Sequence, residues 1–160
     1  MRAFRRAKSY QRQARSRRSR PKLPYKPRYT LLSRGEAAFF FALRAAVRGR
    51  YLIAFKVRLA DLITCSESAW NDGFGHMIAR HHLDFVLCDH GTTNIRLAIE
   101  LDDRSHDKAV RKKRDVFVNE ALATAGVPLL RIQAAARYEI DYIEHVLLSA
   151  LGLRSSEESH

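Results

Sequence analysis

Apolar positions along this chain come in short blocks, and their spacing changes period from block to block. Phe40, Leu43 and Val47 follow helical spacing. Ser33 stands three residues before Glu36, the pattern of a capping box, and Gly49 offers a stop. Together they predict a helix over 34–48. Residues 51–59, YLIAFKVRL, are aromatic and β-branched and predict a strand. Residues 60–68 lead out of it. Residues 69–80 carry a short helical pattern interrupted by Gly73 and Gly75.

Two apolar, β-prone segments follow, LDFVLCD at 83–89 and IRLAIELD at 95–102. The loop HGTTN joins them, with Gly91 available for positive φ, and the whole predicts a hairpin. A helix over about 106–124 is capped by Ser105 or Asp103, with Val110, Phe117, Ala121 and Leu122 as its inward stripe. Gly126 stops it and Pro128 prevents its return. VPLLRI at 127–132 predicts a short strand. The last helix, about 137–152, places Ile140, Ile143, Leu147 and Leu151 on one face before Gly152. The order α-β-β-β-α-β-α predicts an α/β fold, a mixed β-sheet flanked by helices.

Charge divides the chain differently. Residues 1–30 hold 12 of the 29 Lys and Arg and no Asp or Glu. Residues 31–160 hold the other 17 together with all 17 acids. The formal net charge of +12 therefore belongs to the arm, and the body is neutral. The expected organisation is a basic flexible arm at 1–30, a domain at 31–153 and a frayed tail at 154–160. Arg5, Arg6, Arg12, Arg15, Arg17, Arg18 and Arg20 suit contact with phosphates, and the interleaved Phe4, Tyr10, Tyr25 and Tyr29 suit unstacked bases. A solvated tail or an Arg-rich organelle transit segment has the same composition. Two cysteines, Cys65 and Cys88, lie outside any zinc spacing, which favours a reducing compartment. No apolar run is long enough for a transmembrane helix or a secretory signal, so a cytoplasmic location is expected.

The hairpin carries the chemistry. Residues two apart on a strand share a face, so Glu100 and Asp102 point one way with Ala98, and Leu97, Ile99 and Leu101 the other. A turn centred near Thr92 sets Asp84 opposite Glu100, with Cβ atoms about 4.5–5.5 Å apart. Two opposed carboxylates in an apolar hairpin repel each other. A raised pKa, a basic partner or a divalent cation would relieve them, and oxygen donors suit Mg²⁺ or Mn²⁺. Spacing leaves the metal site and a salt-bridge network with Lys56, Arg58 or Arg114 both open.

The stretches KVRLADLI at 56–63, HLDFVLCD at 82–89, AIELDDRSH at 98–106, RD at 114–115 and AGVPLLRI at 125–132 resemble the PD-(D/E)XK, or restriction-endonuclease-like, superfamily. They are most similar to a bacterial domain group of uncharacterised function related to very-short-patch-repair endonucleases. The likeness covers about residues 31–150. It implies a metal-dependent nuclease in which Asp84 and Glu100 are ligands and Glu36 is the acid from the first helix. Asp102 falls where the superfamily usually has lysine; the similar group has an acid there followed by a histidine, which His106 matches. Lys113 is a candidate substitute for that lysine.

The expected metal ligands are thus Asp84 and Glu100, with Asp102 joining directly or through water; His106 and Glu36 complete the catalytic set, with Lys113, which flanks the inward stripe of its helix, as the substitute lysine. Each has a structural alternative: Glu36 as capping glutamate, Asp102 and Asp103 as helix N-terminal acids, His106 as a residue without chemical role, Lys113 as a solvated helix lysine. Asp61 either orients the strand exit or reaches the site. Arg131 can pair with a site acid or a phosphate. The expected function is phosphodiester hydrolysis, in DNA rather than RNA. The alternatives are an inactive nuclease-fold module that binds nucleic acid, and an interaction protein with a structural acid cluster.

Overall fold

The computed structural model describes residues 23–102 and 108–153, the side chains of 108–112 excepted. Its long elements are α1 (Arg34–Val47), β1 (Tyr51–Arg58), β2 (His82–Asp89), β3 (Ile95–Asp102), α5 (Lys108–Thr124), β4 (Leu129–Gln133) and α6 (Ile140–Ala150). Between β1 and β2, where the sequence pattern settles little, lie three short helices: α2 (Leu59–Leu62), α3 (Glu67–Asn71) and α4 (Phe74–Ala79). The sheet runs β1-β2-β3-β4, antiparallel except for the parallel β3–β4 pair. The chain is therefore mixed α/β, with helices on both faces of the sheet.

One face carries α1 and α6. Phe39, Leu43 and Val47 of α1 pack with Phe85, Leu87, Leu97 and Ile99 of the sheet and with Ile143 and Leu147 of α6. On the other face, Val118 and Leu122 of α5 join Leu59, Ile78, Leu83, Val86 and Ala98. The alternation along β3 thus divides as the period of two requires. Leu43, Val47 and Leu122 are buried as their stripes require, but at one position on each helix the buried side chain is the neighbour of the one expected. Phe39 is fully buried and Phe40 lies at the margin against Phe55; on α5, Val118 is buried and Phe117 only half-buried. Ile140, at the first turn of α6, is exposed. Side-chain periodicity fixes a helical face only to about one residue (100°), and tertiary packing selects within that range.

The hairpin register is the one that places Asp84 beside Glu100. Phe85↔Ile99, Val86↔Ala98 and Leu87↔Leu97 are paired, and a bulge at Leu87/Cys88 absorbs the loop on the far side. The left-handed residue of that loop is Thr93 (φ 60), not Gly91.

A second irregularity lies in β1. Lys56 has φ 57 in the middle of an eight-residue strand. A non-glycine residue held there costs about 1–3 kcal/mol. Phe55 and Phe85, a matched pair, belong to the first core; Val57 and Leu83, the next matched pair, belong to the second. The two strands therefore exchange faces at the Lys56–Asp84 step.

The glycines of the GFG stretch have structural roles. Gly73 adopts φ 101 as the cap of α4, and Gly75 lies so close under the Trp70 indole that any Cβ would overlap the ring.

Candidate functional site

The start of β2, the end of β3, the first turn of α1 and the middle of α5 surround a cleft of about 320 Å³. Glu36, Asp84, Glu100, Asp102, Arg114 and Asp115 line it. Each is placed by a local rule. Glu36 is the N3 residue of a complete capping box: the Ser33 N–H donates to Glu36 Oε2 at 2.7 Å, and the Glu36 N–H donates to Ser33 Oγ at 3.3 Å. Asp84 Oδ2 accepts the Leu101 backbone N–H at 2.9 Å, which ties the start of β2 to the end of β3. Arg114 and Asp115 face the sheet because they precede Val118 and Leu122 by helical spacing.

Each carboxylate also meets a cation. Lys56 Nζ bonds Glu36 Oε1 and lies 3.6 Å from Asp84 Oδ1. Arg114 reaches both oxygens of Glu100, at 3.3 and 3.4 Å, and donates to the His82 carbonyl at 3.2 Å. Arg131 donates to Asp102 at 2.7 Å and to Asp115 at 3.4 Å, and Asn119 Oδ1 accepts from the same guanidinium. Gln133 donates to the Asp102 carbonyl.

The balance is uneven. Among the described residues, five carboxylates (Glu36, Asp84, Glu100, Asp102, Asp115) share three cations (Lys56, Arg114, Arg131). Fully ionised, the cluster carries two excess negative charges. Glu100 bears most of the strain, being 4% exposed and the only charged residue among the buried ones described. Burial, aided by the nearby Asp84 charge, pushes its carboxyl up to about 7 against the opposing pull of Arg114. Burial also pushes Glu36 up, but hydrogen bonds from Lys56 and Ser33 outweigh it and hold that carboxyl below its ordinary value. Burial, with the nearby Arg114 charge, lowers His81.

Four of the expected site residues therefore meet at one cleft: Asp84, Glu100, Asp102 and Glu36. Lys113 does not. It is exposed on α5, and Arg114 takes the inward position, because the buried stripe of that helix runs through Val118 rather than Phe117. Asp61 pairs with Arg58 at the exit of β1 and does not line the cleft. His106, Asp103 and the seven arm arginines lie outside the described residues. Lys56 and Arg114, expected as salt-bridge partners, and Arg131, expected to pair with a site acid or a phosphate, all reach the cluster, whereas Asp115 was not marked by periodicity because it joins the others only through tertiary packing.

The donors are hard oxygens around an open space, the chemistry that Mg²⁺ and Mn²⁺ prefer. As the side chains stand, they turn toward their cationic partners, and no group of three or more His, Cys, Asp or Glu among the described residues is gathered to hold a metal ion. A second hollow, between α4 and α5, is larger but mostly apolar, with Glu120 its one ionised side chain.

Residues 28–151 match the family described as protein of unknown function DUF2726. The chain belongs to this family. The DUF2726 match runs from before α1 to the end of α6, so it contains every residue lining the acidic cleft. No curated protein and no solved structure matches the chain. Among the described residues, no helix is long and apolar enough to cross a membrane.

Proposed function

We propose that this protein is a divalent-metal-dependent nuclease with a restriction-endonuclease-like fold, hydrolysing phosphodiester bonds in DNA in preference to RNA. One observation carries the proposal: among the described residues, five carboxylates, one of them buried, line one cleft and share three cations. An uncompensated cluster of this kind gains from a divalent ion. The resemblance to PD-(D/E)XK enzymes supplies the reaction class.

Asp84, Glu100 and Asp102 would hold Mg²⁺ or Mn²⁺. Bound there, the ion supplies Lewis-acid charge at a scissile phosphate and acidifies a water. The remaining groups position these three. The Leu101 N–H fixes one oxygen of Asp84, and Arg114 aims Glu100 into the cleft. Arg131 also holds Asp115 and Asn119, so the rim between β4 and α5 would stay in place with Asp102 as a ligand. His106 handles a proton in this scheme, and the arm arginines raise affinity through backbone phosphates without reading sequence. The setting is cytoplasmic and reducing, in keeping with free Cys65 and Cys88.

The test is cleavage of supercoiled, linear and single-stranded DNA by the purified protein with Mg²⁺ or Mn²⁺, beside Glu100→Ala. Cleavage by the wild type alone is the expected result. Equal cleavage by both proteins sinks the site assignment.

A second proposal draws on the pairing of every cleft acid with Lys or Arg: the cluster is a structural ion-pair network that shapes an interaction surface. Under it neither protein cleaves, and added metal leaves thermal stability unchanged.

A further inference from the structure

We infer that Lys56, from β1, is the cation that faces the scissile phosphate in this cleft. The inference rests on the nuclease proposal and adds to it a residue that spacing along the hairpin does not reach. The position two residues after Glu100 holds Asp102, so that strand brings no cation of its own to the ligands.

Among the described cations of the cluster, three observations single out Lys56. The first is its backbone. Lys56 occupies the left-handed region inside a strand whose pairing resumes at once, with Val57 opposite Leu83. Glycine would fill that position without strain, yet a long cationic side chain stands there. The kink sits at the step where β1 and β2 exchange faces, and the lysine ends between Glu36 of α1 and Asp84 of β2. Residues held in such conformations concentrate where function constrains them.

The second observation is what Lys56 would leave behind on moving. It engages Glu36 Oε1 and Asp84 Oδ1. The other oxygen of each carboxylate is already held, Glu36 Oε2 by the Ser33 N–H and Asp84 Oδ2 by the Leu101 N–H. Both acids therefore keep their place when the ammonium swings away. Arg114 has no such freedom, because it is the one salt-bridge partner of buried Glu100 among the described residues. Arg131 is committed to Asp102, Asp115 and Asn119 together.

The third observation is reach. The Lys56 side chain is 40% exposed, on a flexible stem, and its ammonium meets two acids that line the cleft. A compact, mobile point charge can follow a phosphate as it approaches Asp84. In hydrolysis, water adds to phosphorus, the bond to the leaving sugar oxygen breaks, and a proton from water ends on that oxygen. Lys56 is unchanged by this; it balances charge on the non-bridging oxygens.

The test uses the full chain with plasmid and single-stranded DNA, Mn²⁺ alone as the metal probe, and Lys56→Gly, Lys56→Arg and Glu100→Ala. Lys56→Gly removes the ammonium and relieves the backbone. It should melt no lower than wild type, bind Mn²⁺ equally well, and lose on the order of 100-fold in kcat, the usual cost of removing one electrostatic stabiliser. Lys56→Arg, which keeps the charge, should retain more of the rate than Lys56→Gly. Cleavage by Lys56→Gly at the wild-type rate, with Glu100→Ala inactive, overturns this inference and leaves the nuclease proposal standing. So does a Lys56→Gly defect that appears only as weaker Mn²⁺ binding and vanishes at saturating metal, since Lys56 would then merely hold Asp84. A wild type that cleaves nothing removes both.

Discussion

Arg114 spans both carboxylate oxygens of Glu100, at 3.3 and 3.4 Å, where β3 leaves the core and α5 crosses it. The glutamate is almost wholly buried and the arginine is not. Removing the arginine therefore strands a buried acid, whereas protonating the acid removes most of the penalty. Arg114→Met should lower stability by about 1–3 kcal/mol at pH 8. At pH 5, where Glu100 is already neutral, most of that loss should disappear. Thermal melts of the variant and wild type at the two pH values check this.

Glu100 gives the fold a pH dependence of definite sign. Its carboxyl stands at about 7 in the folded protein against 4.5 as the ordinary value. Over that window the folded state binds more proton than the unfolded state, so this group's contribution to stability falls as pH rises from about 4.5 to 7. A shift of this size corresponds to roughly 3 kcal/mol at most. Glu100→Gln, which stays neutral, should gain stability relative to wild type across the window. Chemical denaturation of both proteins from pH 4.5 to 8 measures the difference. On the metal proposal, Mn²⁺ should raise the wild-type Tm more at pH 8 than at pH 5.5 and should do little for Glu100→Gln, because binding must displace the proton.

The capping box supports the rim of the cleft as well as the helix. Ser33 accepts from the Glu36 N–H, and its own N–H steadies the Glu36 carboxylate. Ser33→Ala should cost about 1 kcal/mol in stability. The Ser33 N–H remains in that variant, so DNA binding should change little. Denaturant unfolding and a binding titration read the two effects separately.

The arm has a test independent of the cleft. Deleting residues 1–30 removes 12 basic side chains. DNA affinity should fall, and the slope of log affinity against log salt should become shallower. Unchanged affinity would deny the arm its role in phosphate contact.

Much of this arrangement was legible from residue order. The period of two put Glu100 and Asp102 on one face of β3, and turn placement put Asp84 beside them. The capping box at Ser33 and Glu36 announced the start of α1. These features depend on neighbours a few residues apart, for which backbone geometry alone sets direction. Of the three short helices between β1 and β2, α4 lies within the short helical pattern of 69–80, but the bounds of none were legible, since segments of four to six residues have too few positions to establish a period.

Residue order alone fixes which acids share a strand face, and hence that they repel one another. It offers several cations as partners, and the docking of the elements selects among them. A one-residue difference in the buried stripe of α5 turns Lys113 to solvent and Arg114 onto Glu100. A left-handed residue in β1, which no local propensity requires, carries Lys56 to Glu36 and Asp84. Parallel pairing of β4 with β3 sets Arg131 opposite Glu100 and within reach of Asp102. The physical reason is common to all three: strand periodicity is a local property of the backbone, whereas a salt-bridge partner is chosen by the rotation and docking of elements distant along the chain.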